Sequence, residues 1–169
     1  MDELMAKVIE KSKVWEILNE VCDPEIPILT IKDLGILRDV NTNEAGQIEV
    51  LITPTYSGCP AMDTISINIK AALEEHGYTG AKVKSVLSPA WTTAWMTEEG
   101  KQKLKAYGIA PPVGHSADKS TLFAAPKQIQ CPHCGAQSTK LISQFGSTPC
   151  KALYRCEECL EPFDYFKCH

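Results

Sequence analysis

The chain has 169 residues, of which 44% are hydrophobic and 22% charged, and its formal net charge is −4. No apolar run approaches the roughly 20 residues that a transmembrane helix needs, which argues against a membrane protein. The acidic excess lies in the first 125 residues, and no clustered basic face is evident, which argues against DNA or RNA as a partner.

The first predicted elements are a helix and a β-hairpin. Apolar residues at helical spacing predict a helix over about residues 4–22, which ends before Pro24 because proline disfavours helix in the residue before it. Residues 34–40 and 48–52 are strand-like, and the turn-like residues 43–46 separate them. These two strands are therefore predicted to pair as an antiparallel hairpin.

A second helix, a third strand and a third helix follow. Pro60 stands at a first helical position, and the apolar residues after it keep helical spacing as far as Gly77. Residues 81–87 form the third strand, which can lie parallel to an earlier strand because a helix separates them. The last helix is predicted to start at Thr97 and to end near Gly108.

We therefore divide the chain into three parts. Residues 1–112 are predicted to form an α+β domain, in which a small mixed β-sheet is packed with helices. Residues 113–126 carry Gly, Ser, Ala, Asp and Lys with little periodicity, which is typical of a linker. Residues 127–169 are predicted to form a C-terminal metal-binding module.

The eight cysteines are unevenly distributed, with six of them at or after position 131. Residues 1–7 lack the apolar segment of a secretion signal, so we expect a cytoplasmic protein whose thiols stay reduced. Clustered thiols in a reducing compartment favour metal binding over disulfides.

Four of these cysteines form two CxxC pairs, which are Cys131 with Cys134 and Cys156 with Cys159. Two residues between thiolates let one tight turn aim both sulfurs at a common point, so the two pairs predict one tetrahedral metal site. An iron–sulfur cluster on the same thiols is the alternative. Structural zinc is favoured, because residues 141–143 and 152–154 look like the short strands of a closed zinc ribbon.

Three further candidate ligands lie near the four cysteines. They are Cys150, Cys168 and His169, and one interpretation is that they form a second metal site. The other is that they are only a buried thiol and a frayed chain terminus, and this is what we expect. His133 lies inside the first CxxC pair and is expected to remain unliganded.

Cys59 immediately precedes the second predicted helix. The helix dipole and free backbone N–H groups there are expected to lower the pKa of the thiol, which makes it a nucleophile or a ligand for a soft metal. The same N–H groups suit an anion, and a small residue chosen for packing is the plain alternative. Asp23 and Glu25 lie on a proline-fixed loop, where they either orient a cation or a thiol or simply end a helix.

Several motifs together carry a family resemblance. Residues 13–90 resemble the MIP18 (DUF59) domain through Asp23-Pro24-Glu25 with Pro27, Asp33-Leu34-Gly35 and residues 53–60. The chain also resembles the PaaD branch of that family, through residues 88–96, 107–112, 145–151 and 163–169. One departure is Ala94, where relatives are expected to carry an acid.

The resemblance implies an accessory protein of the phenylacetyl-CoA epoxidase system in aerobic phenylacetate degradation. Its partners would be the phenylacetyl-CoA oxygenase, the iron–sulfur flavin reductase of that oxygenase, or both. Cys59 matches the residue regarded as reactive in the family, so it is the expected transient ligand of iron or an iron–sulfur cluster, with Asp23 and Glu25 in support. The chain itself would not be an enzyme. A structural adaptor that docks through the zinc ribbon is the alternative, and self-association remains open.

Overall fold

The computed structural model describes residues 10–114 and 128–167. The start of the first predicted helix, most of the predicted linker, and the candidates Cys168 and His169 lie outside the described residues.

The first sheet has three strands in the order β1-β2-β3. Strands β1 (Leu37–Thr42) and β2 (Ile48–Ile52) form the predicted antiparallel hairpin. Helix α2 (Ala61–Glu75) then leads to β3 (Lys82–Ser85), which pairs in parallel with β2. The predicted α+β class with a small mixed sheet is therefore confirmed.

Helices α1 (Lys11–Leu18) and α2 contact each other and the sheet. The buried face of α2 consists of Ala61, Ile65, Ile69 and Leu73, which recur every four residues and so share one side of the helix. The strand residues Ile48, Val50 and Ile52 are also buried. These side chains form the main core below the first sheet.

Helix α3 (Glu98–Ala106) begins where the sequence predicts. The side chain of Thr97 caps it by accepting the N–H of Gly100 at 2.9 Å. The helix leads into a two-residue strand, β4 (Ile109–Ala110). This strand ends the first part of the chain but pairs with the second part.

The second sheet has the order β4-β7-β6-β5. Strands β5 (Thr139–Ser143), β6 (Lys151–Cys156) and β7 (Pro162–Phe166) form an antiparallel ribbon, so the predicted ribbon strands are confirmed. Strand β4 pairs in parallel with β7. Residues on both sides of the predicted linker therefore share one sheet.

The ribbon also shares the main core. Phe166 and Cys150 are buried within the cluster formed around the first sheet. The ring of Phe166 meets that of Trp91 edge to face, with centroids 6.3 Å apart. Trp91 is itself buried, and its indole N–H donates to the carbonyl of Leu34 at 2.8 Å. Trp91 is thus a core residue, whereas Tyr107 is 60% exposed.

The Asp33-Leu34-Gly35 turn joins the first sheet to α3. The buried carboxylate of Asp33 accepts hydrogen bonds from the Thr30 backbone N–H at 3.1 Å, the Lys103 ammonium at 2.8 Å and the Thr97 hydroxyl at 3.2 Å. Gly35 has φ +68, and a Cβ there would overlap the carbonyl oxygen of Trp95. The turn therefore requires a carboxylate at position 33 for its hydrogen bonds and a glycine at position 35 for lack of space.

We expect Asp33→Asn to destabilise the protein by about 2 kcal/mol at neutral pH, because the hydrogen bond to the Lys103 ammonium loses its charge. Burial raises the pKa of Asp33, but hydrogen bonds from Lys103 and Thr30 bring it below its ordinary value. A depressed pKa means that this stabilisation is present above pH about 4 and is lost as the pH falls through the lower, folded-state pKa. Urea unfolding at pH 7 and pH 3 measures the difference.

Asp39→Asn is the matched control. Asp39 pairs with Lys11 at 3.0 Å on the surface, where such pairs contribute about 0–1 kcal/mol. The role given to the buried Asp33 carboxylate would be contradicted if the two variants were equally destabilised. It would also be contradicted if the loss of unfolding free energy in Asp33→Asn were as large at pH 3 as at pH 7.

Candidate functional site

The four-cysteine cluster comprises Cys131, Cys134, Cys156 and Cys159. All four sulfurs lie within 4.8 Å of one another. The Cys131 and Cys159 sulfurs are 3.8 Å apart, and those of Cys134 and Cys156 are 3.6 Å apart. The two CxxC pairs therefore meet at one point, as their spacing predicts.

Local backbone geometry builds each half of the cluster. In the first pair, Gly135 has φ +79, and its N–H donates to the Cys131 carbonyl at 2.9 Å, which closes a tight turn. In the second pair, the backbone N–H of Cys159 donates to the sulfur of Cys156 at 3.5 Å. Hydrogen bonds from the backbone of Cys159 and Glu158 lower the pKa of Cys156 to about 7. A backbone hydrogen bond to its sulfur also lowers the pKa of Cys159, but burial and the neighbouring thiols outweigh that bond and raise the pKa to about 12.

The donor set fits a single tetrahedral ion. Four sulfurs at the usual metal–sulfur distance of about 2.3 Å would be about 3.8 Å apart, close to the two separations above. A disulfide needs about 2.05 Å, and the four thiols are free. His133 is exposed and meets the ring of Phe163 edge to face, and it is not part of the sulfur cluster. This arrangement suits a structural metal, because four thiolates around one ion would leave no open position for chemistry.

A second group of functional side chains surrounds a cavity of about 20 Å³, which we name the Cys59 pocket. Its lining comprises Asp23, Glu25, Ile26, Leu34, Ile36, Thr55, Cys59, Met62, Ile65, Cys150 and Phe166. That volume suits one water molecule or one ion. A larger groove of about 330 Å³ runs along α1 but contains no cysteine, so the smaller cavity is the better candidate site.

Cys59 is half-buried in the turn just before α2. Burial raises the pKa of its thiol, and hydrogen bonds from the Ala61 backbone and the Tyr56 hydroxyl oppose this without reversing it, while Glu25 and Asp23 raise the pKa further. The expected lowering of the pKa was therefore wrong. Cys59 does precede a helix, but burial and the two nearby carboxylates raise its pKa by more than the helix start lowers it.

The structure brings Asp23 and Glu25 to Cys59. Asp23 is buried, and its Oδ1 accepts the backbone N–H groups of Glu25 and Ile26, both at 2.8 Å. This is the local hydrogen bonding that fixes the Asp-Pro-Glu loop. Burial and the charge of Asp23 raise the pKa of Glu25, whereas Lys151 lowers it. Glu25 is half-buried and accepts no hydrogen bond within the described part of the chain, so it is available to the pocket.

Cys150 is the residue of the pocket that sequence reasoning missed. We expected a buried thiol, and it is 6% exposed, but the structure places it beside Cys59. Burial raises its pKa, and the charges of Glu25 and Cys59 raise it further. The Thr148 hydroxyl lies 3.0 Å from its sulfur. Its neighbourhood arises from the packing of the ribbon on the domain, and no local sequence spacing indicates that packing.

Two family models match separate parts of the chain. Residues 11–87 match the model described as "Iron-sulfur cluster assembly protein", and residues 115–167 match the "PaaD zinc beta ribbon domain". Among solved structures, a DUF59 domain from Bacillus anthracis has a TM-score of 0.51 and 28% identity over 56% of this chain and 90% of that chain. Fold and site thus define a MIP18-type α+β domain that carries a four-cysteine β-ribbon.

Curated relatives identify the family. A putative 1,2-phenylacetyl-CoA epoxidase component of Escherichia coli is 49% identical over 156 residues, which is 92% of each chain. A "Fe-S protein maturation auxiliary factor" of Porphyromonas gingivalis is 34% identical over 54% of this chain and 87% of its own length. The chain therefore belongs to the PaaD family, within the wider MIP18 group. No helix among residues 10–114 and 128–167 is long and apolar enough to cross a membrane.

Proposed function

We propose that the chain is a maturation factor that carries iron, or an iron–sulfur cluster, to the oxygenase of a phenylacetyl-CoA epoxidase system or to its reductase. The observation that carries the proposal is the Cys59 pocket, in which a half-buried thiol faces two carboxylates across an ion-sized cavity. The name of the Escherichia coli relative supports the link to a phenylacetyl-CoA epoxidase, and the name of the Porphyromonas gingivalis relative supports a role in iron–sulfur protein maturation. The chain then acts in the cytosol and is not an enzyme by itself.

In this proposal the iron ion is cargo, and Cys59 is its transient ligand. Binding forms an iron–sulfur bond and releases the thiol proton to solvent. Because burial raises the pKa of Cys59, the ion competes with that proton, which weakens binding near neutral pH. A carrier needs this weakness, since it must release what it holds. Asp23 keeps the loop in place through its two backbone hydrogen bonds.

We further propose that the four-cysteine cluster holds zinc. A closed shell of four thiolates is the usual structural zinc site, and the matching family model is described as a zinc ribbon. The ion would contribute folding energy and shape. We retain the boundaries 1–112, 113–126 and 127–169 for domain, linker and ribbon as part of this proposal, with the ribbon docked on the domain.

Cys59→Ser tests the function. We expect the variant to lower iron loading of the partner proteins, and with it the epoxidase activity, by about tenfold or more, because even the loss of a side chain that only supports a metal ligand typically reduces affinity by about 10–100-fold. The measurement is the iron content and turnover of oxygenase and reductase produced together with each variant.

Cys22→Ser is the control, because Cys22 is an exposed thiol that does not line the pocket. If Cys59→Ser supports normal metal loading and full epoxidase activity, the carrier role is wrong.

A structural adaptor is the second candidate. The observation in its favour is that the ribbon exposes three large apolar side chains, which are Ile142, Phe145 and Leu160. An adaptor would co-purify with the oxygenase or reductase at fixed stoichiometry. A carrier would be absent from the mature complex, so co-purification separates the two candidates.

A further inference from the structure

We propose that Cys150 is a second thiolate of the cargo site, so that a thiophilic divalent ion is bound jointly by Cys59 and Glu25 of the domain and Cys150 of the ribbon. The inference rests on the proposed function and extends it, because it makes the ribbon part of the site.

The first support is shared location. Cys59, Cys150 and Glu25 line the same cavity of about 20 Å³, which has room for a single ion. Cys59 reaches it from the turn before α2, Glu25 from the Asp-Pro-Glu loop, and Cys150 from the turn before β6. Two sulfurs and a carboxylate are a donor set suited to a borderline ion such as ferrous iron, zinc or cobalt.

The second support is that Cys150 is held in place. Its carbonyl accepts the N–H of Lys167 at 3.0 Å, the N–H of Lys151 donates to the Thr148 carbonyl at 3.1 Å, and the Thr148 hydroxyl contacts the Cys150 sulfur. Strand β6 begins directly after this turn, pairs with β7, and ends at Cys156 of the four-cysteine cluster. A structural metal in the ribbon therefore also fixes the position of Cys150.

The third support is charge. Two thiolates with the carboxylates of Glu25 and Asp23 would exceed the charge of a divalent ion. Lys151 is 6% exposed, and its ammonium lies 3.5 Å from the Asp164 carboxylate. Lys151 thus supplies a buried positive charge next to Cys150 in the chain, but it shares that charge with Asp164 and so offsets only part of the excess.

The site is open at rest. Within the described residues, only the four-cysteine cluster has three or more ligand atoms all within 4.8 Å. The pocket must therefore contract when an ion enters, through side-chain rotation of Glu25 and the two cysteines. Contraction lowers the affinity, which again suits a cargo that is passed on.

Cobalt(II) chloride is the probe for this site. The full chain, with its four-cysteine cluster filled with zinc, is titrated with cobalt under reducing, oxygen-free conditions, and the sulfur-to-cobalt charge-transfer absorption per bound cobalt is recorded. Zinc is retained because it binds such sites more tightly than cobalt. We expect Cys150→Ser and Cys150→Ala each to halve that absorption and to weaken cobalt binding about 10–100-fold. Glu25→Gln should weaken binding while leaving the absorption per cobalt unchanged.

The outcomes separate the two proposals. If both Cys150 variants keep full absorption and affinity while Cys59→Ser loses them, the second thiolate is wrong and the carrier function stands. If Cys59→Ser also leaves cobalt binding unchanged, both fail. Cys22→Ser is the thiol control. Zinc content and the thermal midpoint verify that each variant is folded, and the alanine variant avoids a buried hydroxyl at position 150.

Discussion

Cys156→Ser is expected to unfold the ribbon. A module of this size has too small a core to fold without a cross-link, and structural zinc contributes an apparent ~10–16 kcal/mol to comparable zinc-finger peptides. Cys156 is buried, ends β6 and belongs to the four-cysteine cluster. The variant should therefore lose bound zinc together with the strand signals of the ribbon, which zinc analysis and nuclear magnetic resonance of the backbone amides would record. A strong chelator should have the same effect on the wild-type chain.

The domain should respond as well, because the ribbon contributes Phe166 and Cys150 to the main core. We expect a lower thermal midpoint for the whole chain and a more open Cys59 pocket in the variant. Cys22→Ser, which changes an exposed thiol in the same way, should leave zinc content and midpoint unchanged. Retention of one equivalent of zinc at unchanged affinity by Cys156→Ser would show that the cluster is not the metal site.

Local patterns were sufficient to predict most individual elements. The alternation of Ile48, Val50 and Ile52 predicts a strand of the hairpin, and Thr97 predicts the start of α3. Both predictions were possible because the alternation of side chains along a strand and the capping of a helix each depend on a few consecutive residues. The four-cysteine cluster was equally predictable from the sequence, since each CxxC pair forms within one turn. In all these cases the signal and the structure occupy the same short stretch of chain.

Long-range packing could not be predicted from such local patterns. Strand β4 has only two residues and pairs with β7 more than fifty residues later, so no periodicity indicates it. That pairing and the burial of Phe166 bring Cys150 to Cys59. The predicted lowering of the Cys59 pKa was wrong for the same reason. The position of Cys59 before a helix was predictable, but its burial and its two carboxylate neighbours depend on the tertiary structure.

Phe166→Ala is expected to destabilise the whole chain by about 3–5 kcal/mol, the range for truncating a buried aromatic ring. Phe166 is 1% exposed, packs edge to face on Trp91 and lines the Cys59 pocket, although it lies on the last strand of the ribbon. Because the ring is part of the main core, domain and ribbon should still unfold together, at a lower urea concentration. The two probes are circular dichroism of the strands and tryptophan fluorescence, to which Trp91 contributes together with Trp15 and Trp95, all of which pack in or against the main core.

Phe145→Ala is the matched control for Phe166→Ala. Phe145 belongs to the same ribbon but is 67% exposed, with the Lys167 ammonium 4.6 Å from its ring centroid, so its loss should change stability by less than about 1 kcal/mol. If Phe166→Ala instead affected only the ribbon and left the unfolding midpoint of the tryptophan signal unchanged, the ribbon would be an independent module. Cys150 would then reach Cys59 only part of the time, and a cargo site shared between them would lose its structural basis.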